Sequence, residues 1–449
     1  MPLWRCPSEC KESDVLLSEY QEPRLLAEPR SGVPEVIDKP TAFREMCLRF
    51  SQAQGSVAAD AERASGFRYG HEDWLVQFKR EGAGIALIDP VALQGTSASW
   101  DMFNDAVGSA TWIIHDSLQD LPGYADLGMK PQALFDTELA ARMLGAHHFG
   151  LAAVTEHYLG LVLAKEHSAA DWSYRPLPRD WRNYAALDVE LLIDLETCMR
   201  AELKAQGKDS WAEEEFAWLL ERGTAPKAPR QDPWLRVSHI TDLHHDRRGL
   251  AVVKELWTTR DALAREHDIS PSLLLSDGAI MEAARIKPRN LRTFRSIRSL
   301  NQRVRVHTGS EQDHMFERYA PIQRMVKPSV WKAAIVKALS IPDDELPVLP
   351  ARKKSNAHGE DGNAPRSMRL WQQRHPERFE RLAKVRQVVN QIAEDTRTPA
   401  EIIVKPQYLR NLCWVEDPES LDVAGFLSEQ GARNWQIGLL AESVSRAIM

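Results

Sequence analysis

The sequence predicts an α/β domain followed by two all-α segments. Three observations carry this. Short β-type runs cluster between residues 55 and 116. From about residue 240 onward only helical periodicity remains. Two polar breaks, GTAPKAPRQDP at 223–233 and ARKKSNAHGEDGNAPRS at 351–367, separate the parts.

Residues 1–38 are rich in proline and charge and lack a clear period, so they are expected to be irregular. The α/β domain is assigned to 39–222. GSVAADAE (55–62), DWLVQFKR (73–80) and GIALID (84–89) read as three successive strands, and TWIIHD (111–116) as a fourth. Val57-Ala58-Ala59 leading into Asp60 suits a buried central strand. Helical patterns follow at 117–126, 136–145 and 151–158, and 177–207 reads as one long helix. The first helical segment is assigned to 240–320, a linker to 351–367 and the second helical segment to 368–449. The two segments share an outline of helix, short loop and helix. His267-Asp268-Ile269-Ser270-Pro271 corresponds to Asp395-Thr396-Arg397-Thr398-Pro399. Each loop proline suits the first turn of a helix, where its missing N–H is unpaired anyway. Two unrelated helix pairs of similar length are the plainer alternative. Trp371, Trp414 and Trp435 have apolar neighbours at helical spacing and are expected in the core.

With 449 residues, 43% hydrophobic and 27% charged, the chain reads as globular. No apolar run approaches the roughly 18–20 residues of a membrane span, and the start MPLWRCPSECKESD lacks an apolar signal region. Five cysteines, an odd and sparse set, suit a reducing cytoplasm better than a disulfide framework. Cys6 and Cys10 form C-x3-C with no second Cys or His pair nearby, so no zinc site is expected there. A net charge of −7 argues against coating nucleic acid by charge alone. One local exception is Arg285, Lys287, Arg289, Arg292, Arg295, Arg298, Arg303 and Arg305, a stretch without Asp or Glu.

Three elements carry candidate chemistry. Asp60-x-Glu62 ends the first strand, where residues i and i+2 face the same side. Two carboxylates converging in an apolar setting repel unless neutralised, and hard divalent ions suit carboxylate oxygens. In HDSLQDL (115–121), Asp116 and Asp120 stand four apart and would share a helical face. Asp116 alone also fits a helix start, whereas Asp120 lies between Leu118 and Leu121. Tyr184 and Asp188 stand four apart on the long helix, which places phenol and carboxylate together. A core tyrosine with Asp188 paired to an arginine is the plainer alternative.

Taken together, a strand-borne D-x-E, a D after a later strand and Y-x3-D on a helix resemble the DEDDy exonuclease motifs. DWSYRPLPRDWRNYAALDVELLIDL (171–195), with its W-x-x-R-P-L lead-in, resembles the third exonuclease motif of the ribonuclease D family. LFDTELAARMLG (134–145) is similar to the segment after that family's second motif, and DAERASGFRY (60–69) to the first motif of its actinobacterial branch. The helical segments resemble HRDC domains, and the whole resemblance covers about residues 30–449. It implies a ribonuclease H-like exonuclease domain with a mixed sheet, then two HRDC-like domains. It also implies a 3′–5′ exoribonuclease working in the cytoplasm on RNA with a free 3′ end, precursor tRNA among the candidates, and no membrane partner. The implied cofactors are two divalent ions, Mg²⁺ or Mn²⁺, held by Asp60, Glu62, Asp120 and Asp188. Asp60 would bridge them, Glu62 and Asp188 would complete the water-carrying site, and Tyr184 would orient the water. Lys165, Arg175, Arg285, Lys287, Arg289, Arg292 and Arg295 are the candidate RNA contacts. The first motif departs from the D-T-E of many relatives in reading Asp60-Ala61-Glu62, which leaves contacts to the terminal nucleotide open. Tyr184 stands where related exonucleases place histidine, so His115, His147 and His148 are not base candidates. A DNA-directed exonuclease and a catalytically silent nucleic-acid-binding protein remain as alternatives. A serine hydrolase ranks below both, because no G-x-S-x-G is present.

Overall fold

The computed structural model describes residues 22–164, 169–226, 228, 230–309, 313–350, 364–365, 367–418 and 420–448. Cys6, Cys10 and Lys165 lie outside the described residues. A short parallel pair joins β1 (Arg24–Leu26) to β8 (Leu161–Leu163). The main sheet has six strands: β2 (Val36–Ile37), β3 (Val57–Arg63), β4 (Asp73–Arg80), β5 (Gly84–Ile88), β6 (Thr111–Ile114) and β7 (Ala133–Asp136). Their spatial order is β2-β5-β4-β3-β6-β7. The β3–β4 and β4–β5 pairs are antiparallel and the others parallel, so the sheet is mixed as expected.

The four expected strands are present, and β3 lies centrally because both faces of Val57-Ala58-Ala59 are covered. Four short strands and the helices Pro40–Gln52 and Trp100–Val107 were not expected. β7 has only Leu134 and Phe135 between Ala133 and Asp136, too short a run to show a period. Two expected helices also need correction. The helix placed over 117–126 begins only at Leu121, because Asp116 takes a left-handed φ of 58° and 117–120 form turns. Asp116 and Asp120 therefore do not share a helical face. The helix placed over 177–207 is two, Arg179–Glu190 and Leu192–Ala205. Between them Leu191 leaves helical geometry at ψ −1° and buries its side chain against Leu161 and Leu163 of β8. Tertiary packing outweighs the local helix preference there.

One face of the sheet packs on the helices Pro40–Gln52, Trp100–Val107 and Leu192–Ala205. The other face takes the helix Arg179–Glu190, and its core does not stop at the domain edge. Phe67, Leu75, Leu87, Trp172, Trp181, Ala185 and Ala186 share one apolar cluster with Leu250, Val253, Leu256, Ile269 and Leu274 of the first helical unit. Polar contacts close this seam. Ser270 N–H donates to Phe67 O at 2.8 Å, and Arg68 pairs with Asp268 at 2.8 Å. The fully buried Asp171 accepts from Tyr319 Oη and Arg318 at 2.9 Å each and from Ser173 Oγ at 2.6 Å.

The helical units do repeat each other. The helices Arg247–Glu266, Pro271–Leu274 and Asp277–Ile286 match Pro376–Thr396, Ala400–Ile403 and Pro406–Trp414 in order and closely in length. The left-handed residues Asp268 and Arg397 mark equivalent loop positions, and Leu275 and Val404 share an extended conformation. This register sets Pro271 on Ala400, one residue away from the Pro399 match read from sequence. Trp371, Trp414 and Trp435 are buried in the second unit's own core, as expected. That unit seats on the helix Asp209–Thr224. Arg433 donates both Nε and Nη2 to Glu215 at 2.5 Å, Trp435 Nε1 donates to Glu215 at 2.9 Å, and Trp435 stacks on Trp211 at 5.0 Å. Gly145 completes the seat. A Cβ there would lie 2.7 Å from Arg397 O, on a backbone whose φ is already +86°.

Glu215 is 3% exposed and accepts from two residues of the opposing unit, Arg433 and Trp435. Glu215→Ala is expected to lower unfolding free energy by about 2–4 kcal/mol, because it strands the half-buried Arg433 charge. Urea unfolding with parallel trypsin digestion checks this. An unchanged midpoint and unchanged cleavage would show that the seat carries no stability.

Candidate active site

β3 delivers Asp60 and Glu62 to the same side of the sheet, and the helix Arg179–Glu190 crosses above with Tyr184 and Asp188 one turn apart. Carboxylate oxygens of Asp60, Glu62 and Asp188 lie within 4.8 Å of one another. Asp120 reaches them from the loop after β6. It precedes the helix Leu121–Leu127 but makes no capping bond there. Its carboxylate accepts instead from Arg63 at 3.0 Å. The loop is held by Asp136, which accepts from Ser117 N–H at 2.8 Å and caps the helix Thr137–Met143 through Leu139 N–H at 3.0 Å. The four carboxylates and Tyr184 border one cavity of about 280 Å³, together with Arg63, His115 and Gln119.

The electrostatics of this cavity are strained. Burial, then the neighbouring carboxylates, pushes the carboxyl groups of Asp60, Glu62 and Asp120 well above the usual range. Asp188 rises to about 7, chiefly through burial, although the Tyr184 hydroxyl donates to it and opposes the rise. Burial and the adjacent carboxylates also raise the Tyr184 phenol, so it stays protonated. Among the described residues the cationic side chain that borders the cavity is Arg63, which holds Asp73 at 2.9 Å and Asp120 at 3.0 Å. One arginine shared by two carboxylates leaves the cluster net negative. That unbalanced charge, on oxygen donors alone, fits hard divalent cations such as Mg²⁺ or Mn²⁺.

Sequence reasoning brought Asp60, Glu62, Asp120, Asp188 and Tyr184 together correctly in space. It missed Arg63 and Asp73. The available signal was a charged residue directly after D-x-E in a strand whose other residues are apolar or acidic. His115 lines the cavity but is turned to Thr137, with Nδ1 2.9 Å from Oγ1, and burial lowers its pKa. His147 and His148 border a separate, mostly apolar hollow that holds none of the carboxylates. Arg175 is not available to a phosphate. Its guanidinium donates to Asp89 at 2.5 Å, Trp172 O at 2.6 Å, Trp74 O at 2.7 Å and Tyr174 O at 2.8 Å. Arg285 pairs with Asp242 at 2.8 Å, Lys287 with Asp246 at 2.5 Å and Arg303 with Glu317 at 3.0 Å. Arg289, Arg292, Arg295, Arg298 and Arg305 are exposed and form no ion pair among the described residues.

A mixed sheet that gathers four carboxylates and a tyrosine at the end of its central strand defines a 3′–5′ exonuclease domain of the DEDDy kind. Residues 34–204 match the family described as 3'-5' exonuclease, 249–311 the HRDC domain, and 364–448 the 3' to 5' exonuclease C-terminal domain. The chain is 31% identical over 230 residues to ribonuclease D of Shewanella sp. (strain ANA-3), covering 51% of this chain and 58% of that one. It is 27% identical over 315 residues to ribonuclease D of Escherichia coli (strain K12), covering 70% and 77%. The crystal structure of a protein from Bifidobacterium adolescentis is 65% identical and superposes with a TM-score of 0.88, over 95% of this chain and 100% of that one. The crystal structure of E. coli RNase D shares the fold at a TM-score of 0.56 and 22% identity, over 92% and 98%. The chain carries a 3'-5' exonuclease domain and an HRDC domain and is similar to the ribonuclease D of several bacteria.

The raised Asp188 pKa has a measurable sign. Its folded value of about 7 exceeds the unfolded value of about 3.9. The folded state therefore binds the extra proton, and the penalty grows as pH rises from about 4 through 7. In EDTA, Asp188→Asn is expected to be more stable than the parent at pH 8, on the order of 2 kcal/mol. The difference should vanish near pH 4. Thermal melts across this range decide it, and a pH-independent difference would contradict the assignment.

Proposed function

We propose that the protein is a 3′–5′ exoribonuclease that removes nucleotides one at a time, with Asp60, Glu62, Asp120 and Asp188 as ligands of two divalent cations, Mg²⁺ or Mn²⁺. The observation that carries this reading is the convergence of three carboxylates within 4.8 Å at a place where burial opposes their charge. Asp60 interacts electrostatically with both Asp188 and Asp120, so it would be shared between the two cations. Bound cations at such a site lower the pKa of water and neutralise charge on the departing oxygen. Tyr184 donates to Asp188, which leaves its oxygen lone pairs free to hold the attacking water. Water attacks the last phosphodiester, the bond to the 3′ oxygen of the preceding nucleotide breaks, and that oxygen takes a proton. A nucleoside 5′-monophosphate leaves.

The chain divides in this reading into the exonuclease domain at 39–222, a first HRDC-like unit at 240–320, and a second helical unit at 368–449. Five exposed arginines on the first unit supply phosphate contacts that depend on salt rather than sequence. RNA with a free 3′ end is the substrate class, and precursor tRNA is the particular substrate proposed. E. coli RNase D, which the chain resembles, is an exoribonuclease involved in structured RNA processing, and this supports the substrate class. No helix among the described residues is long and apolar enough to cross a membrane. Cys47, Cys198 and Cys413 are buried and form no disulfide among the described residues, in keeping with a cytoplasmic site of action.

Digestion of a 5′-labelled single-stranded RNA, beside a matched DNA, tests the assignment in Mg²⁺, Mn²⁺ or EDTA. A metal-dependent ladder shortening from the 3′ end is expected, with cleavage lost in Asp60→Asn and RNA binding kept. Tyr184→Phe should lower kcat by about 10²-fold or more without loss of metal. Preference for the DNA would move the substrate class, and an active Asp60→Asn enzyme would remove Asp60 from the mechanism.

Changing Arg289, Arg292 and Arg295 together to glutamine should raise KM and leave kcat near the parent value. The slope of log affinity against log salt should shrink by about 0.7 per lost contact on single strands. Arg285→Gln and Lys287→Gln, which break ion pairs, should alter stability more than affinity. An unchanged salt slope in the triple variant would place the RNA elsewhere.

A further inference from the structure

The irregularity at the end of β3 changes which residue faces Arg63. Glu62 pairs with Leu75 on β4, so regular antiparallel pairing would set Trp74 opposite Arg63. The register shifts there, and Asp73 takes that place instead. Directly opposed residues of an antiparallel pair project to the same face, which brings guanidinium and carboxylate together. Arg63 Nε lies 2.9 Å from Asp73 Oδ1, and Arg63 Nη2 donates to Asp120 Oδ1 at 3.0 Å. Asp73 is closely walled in. Gly123 of the helix Leu121–Leu127 approaches so near that a Cβ there would lie 2.3 Å from Asp73 Oδ2. The Asp73 side chain is fully buried, and neither of its oxygens makes a hydrogen bond among the described residues. Opposite charge is what ties it to Arg63, in a place where a carboxylate has lost its water.

A buried carboxylate without hydrogen bonds is a poor structural brace, so its charge is the property to explain. Arg63 carries one positive charge and stands between two carboxylates. The part of its field that Asp73 offsets is not felt at Asp120. Asp120 is also the carboxylate that stands apart. Asp60, Glu62 and Asp188 lie within 4.8 Å of one another, and Asp120 is not among them. We propose that Asp73 and Arg63 form a tuning pair for the cation on the Asp120 side of the site: Arg63 weakens the hold of Asp120 on that cation, and Asp73 limits the weakening by offsetting the Arg63 charge. The inference rests on the proposed role of Asp120 as a metal ligand and adds two residues that set the affinity of one cation and leave the other alone. Both act through Asp120 and are positioning residues. The site formed by Asp60, Glu62 and Asp188 fills first, and the Asp120 side fills at higher metal concentration.

The test follows Mn²⁺ binding by electron paramagnetic resonance without substrate, which reads the free ion and resolves tight and weak sites in one titration. Thermal melts in EDTA accompany it. Asp73→Asn leaves the Arg63 charge on Asp120 alone and should weaken the second Mn²⁺ by about tenfold. Adding Arg63→Gln to Asp73→Asn should restore the second Mn²⁺ to the parent affinity or tighter. The double variant strands no buried charge, so its melt in EDTA should stay close to the parent's. The first Mn²⁺ should bind like the parent in both. If Arg63 merely held Asp120 in place, the second change would compound the first. A double variant that binds the second Mn²⁺ more weakly than the parent therefore overturns the proposal, whether or not Asp73→Asn alone is stable enough to measure. Parent-like affinity in Asp73→Asn overturns it as well. Asp120→Asn serves as the reference. If it keeps both Mn²⁺ ions, the assignment of Asp120 as a ligand fails, a result distinct from any failure of the Asp73–Arg63 pair.

Discussion

Mutual repulsion of carboxylates in a poorly solvated cavity is the constraint on which this structure depends. Asp60, Glu62, Asp120 and Asp188 are pressed together where burial opposes charge on each of them. Such a cluster survives only if the elements that carry it are too well packed to relax. β3 is central in the sheet and buried through Val57-Ala58-Ala59. The helix Arg179–Glu190 is anchored by Trp181, Ala185, Ala186 and Val189. The energy that holds the carboxylates together comes from apolar burial elsewhere, and a cation can then be bound where the protein alone is least comfortable.

The apolar cluster beneath that helix extends into the first helical unit, so the unit is part of the packing that supports the helix. Trp172 packs on Trp181 at 5.5 Å and on Tyr184 at 6.2 Å between ring centroids. Its neighbour Asp171 is held by Arg318 and Tyr319 from the helical side. Tyr184 thus gains its position from both sides of the seam. Phe67 and Arg68, a few residues beyond Glu62, contact the same unit through Phe316, Tyr319 and Asp268. The strand and helix motifs are consequently braced by a common neighbour.

The basic stretch at 285–305 divides into two kinds of residue. Arg285, Lys287 and Arg303 join the stretch to Asp242, Asp246 and Glu317 and keep the helical unit's loops in place. Arg289, Arg292 and Arg295 point outward beside the exposed apolar residues Ile286 and Leu291. Exposed arginines without partners carry their full charge to an approaching phosphate, whereas paired ones would first have to surrender an ion pair. The net charge of −7 and a local cationic surface are compatible because the acidic residues are concentrated elsewhere.

Asp60, Glu62, Tyr184 and Asp188 of the clustered residues were legible in the sequence because their geometry is local, whereas Asp120 reaches them from a loop and not from the helical face expected of it. A strand repeats every two residues and a helix every 3.6, so D-x-E and Y-x3-D each converge without reference to the rest of the chain. The four principal strands and the helical repeat were legible for the same reason. The short strands, the helix break at Leu191 and the late start at Leu121 were not, because packing against β8 and a left-handed Asp116 decide them. Local spacing also misread the bases. Arg175, Arg285 and Lys287 looked free until Asp89, Asp242 and Asp246 arrived from distant positions. Arg63 and Asp73 owe their places to the register of β3 on β4 and to the loop after β6. The sequence by itself determined which residues can carry the charge. The tertiary structure decided which charges stay unbalanced, since that balance depends on partners brought together only by folding.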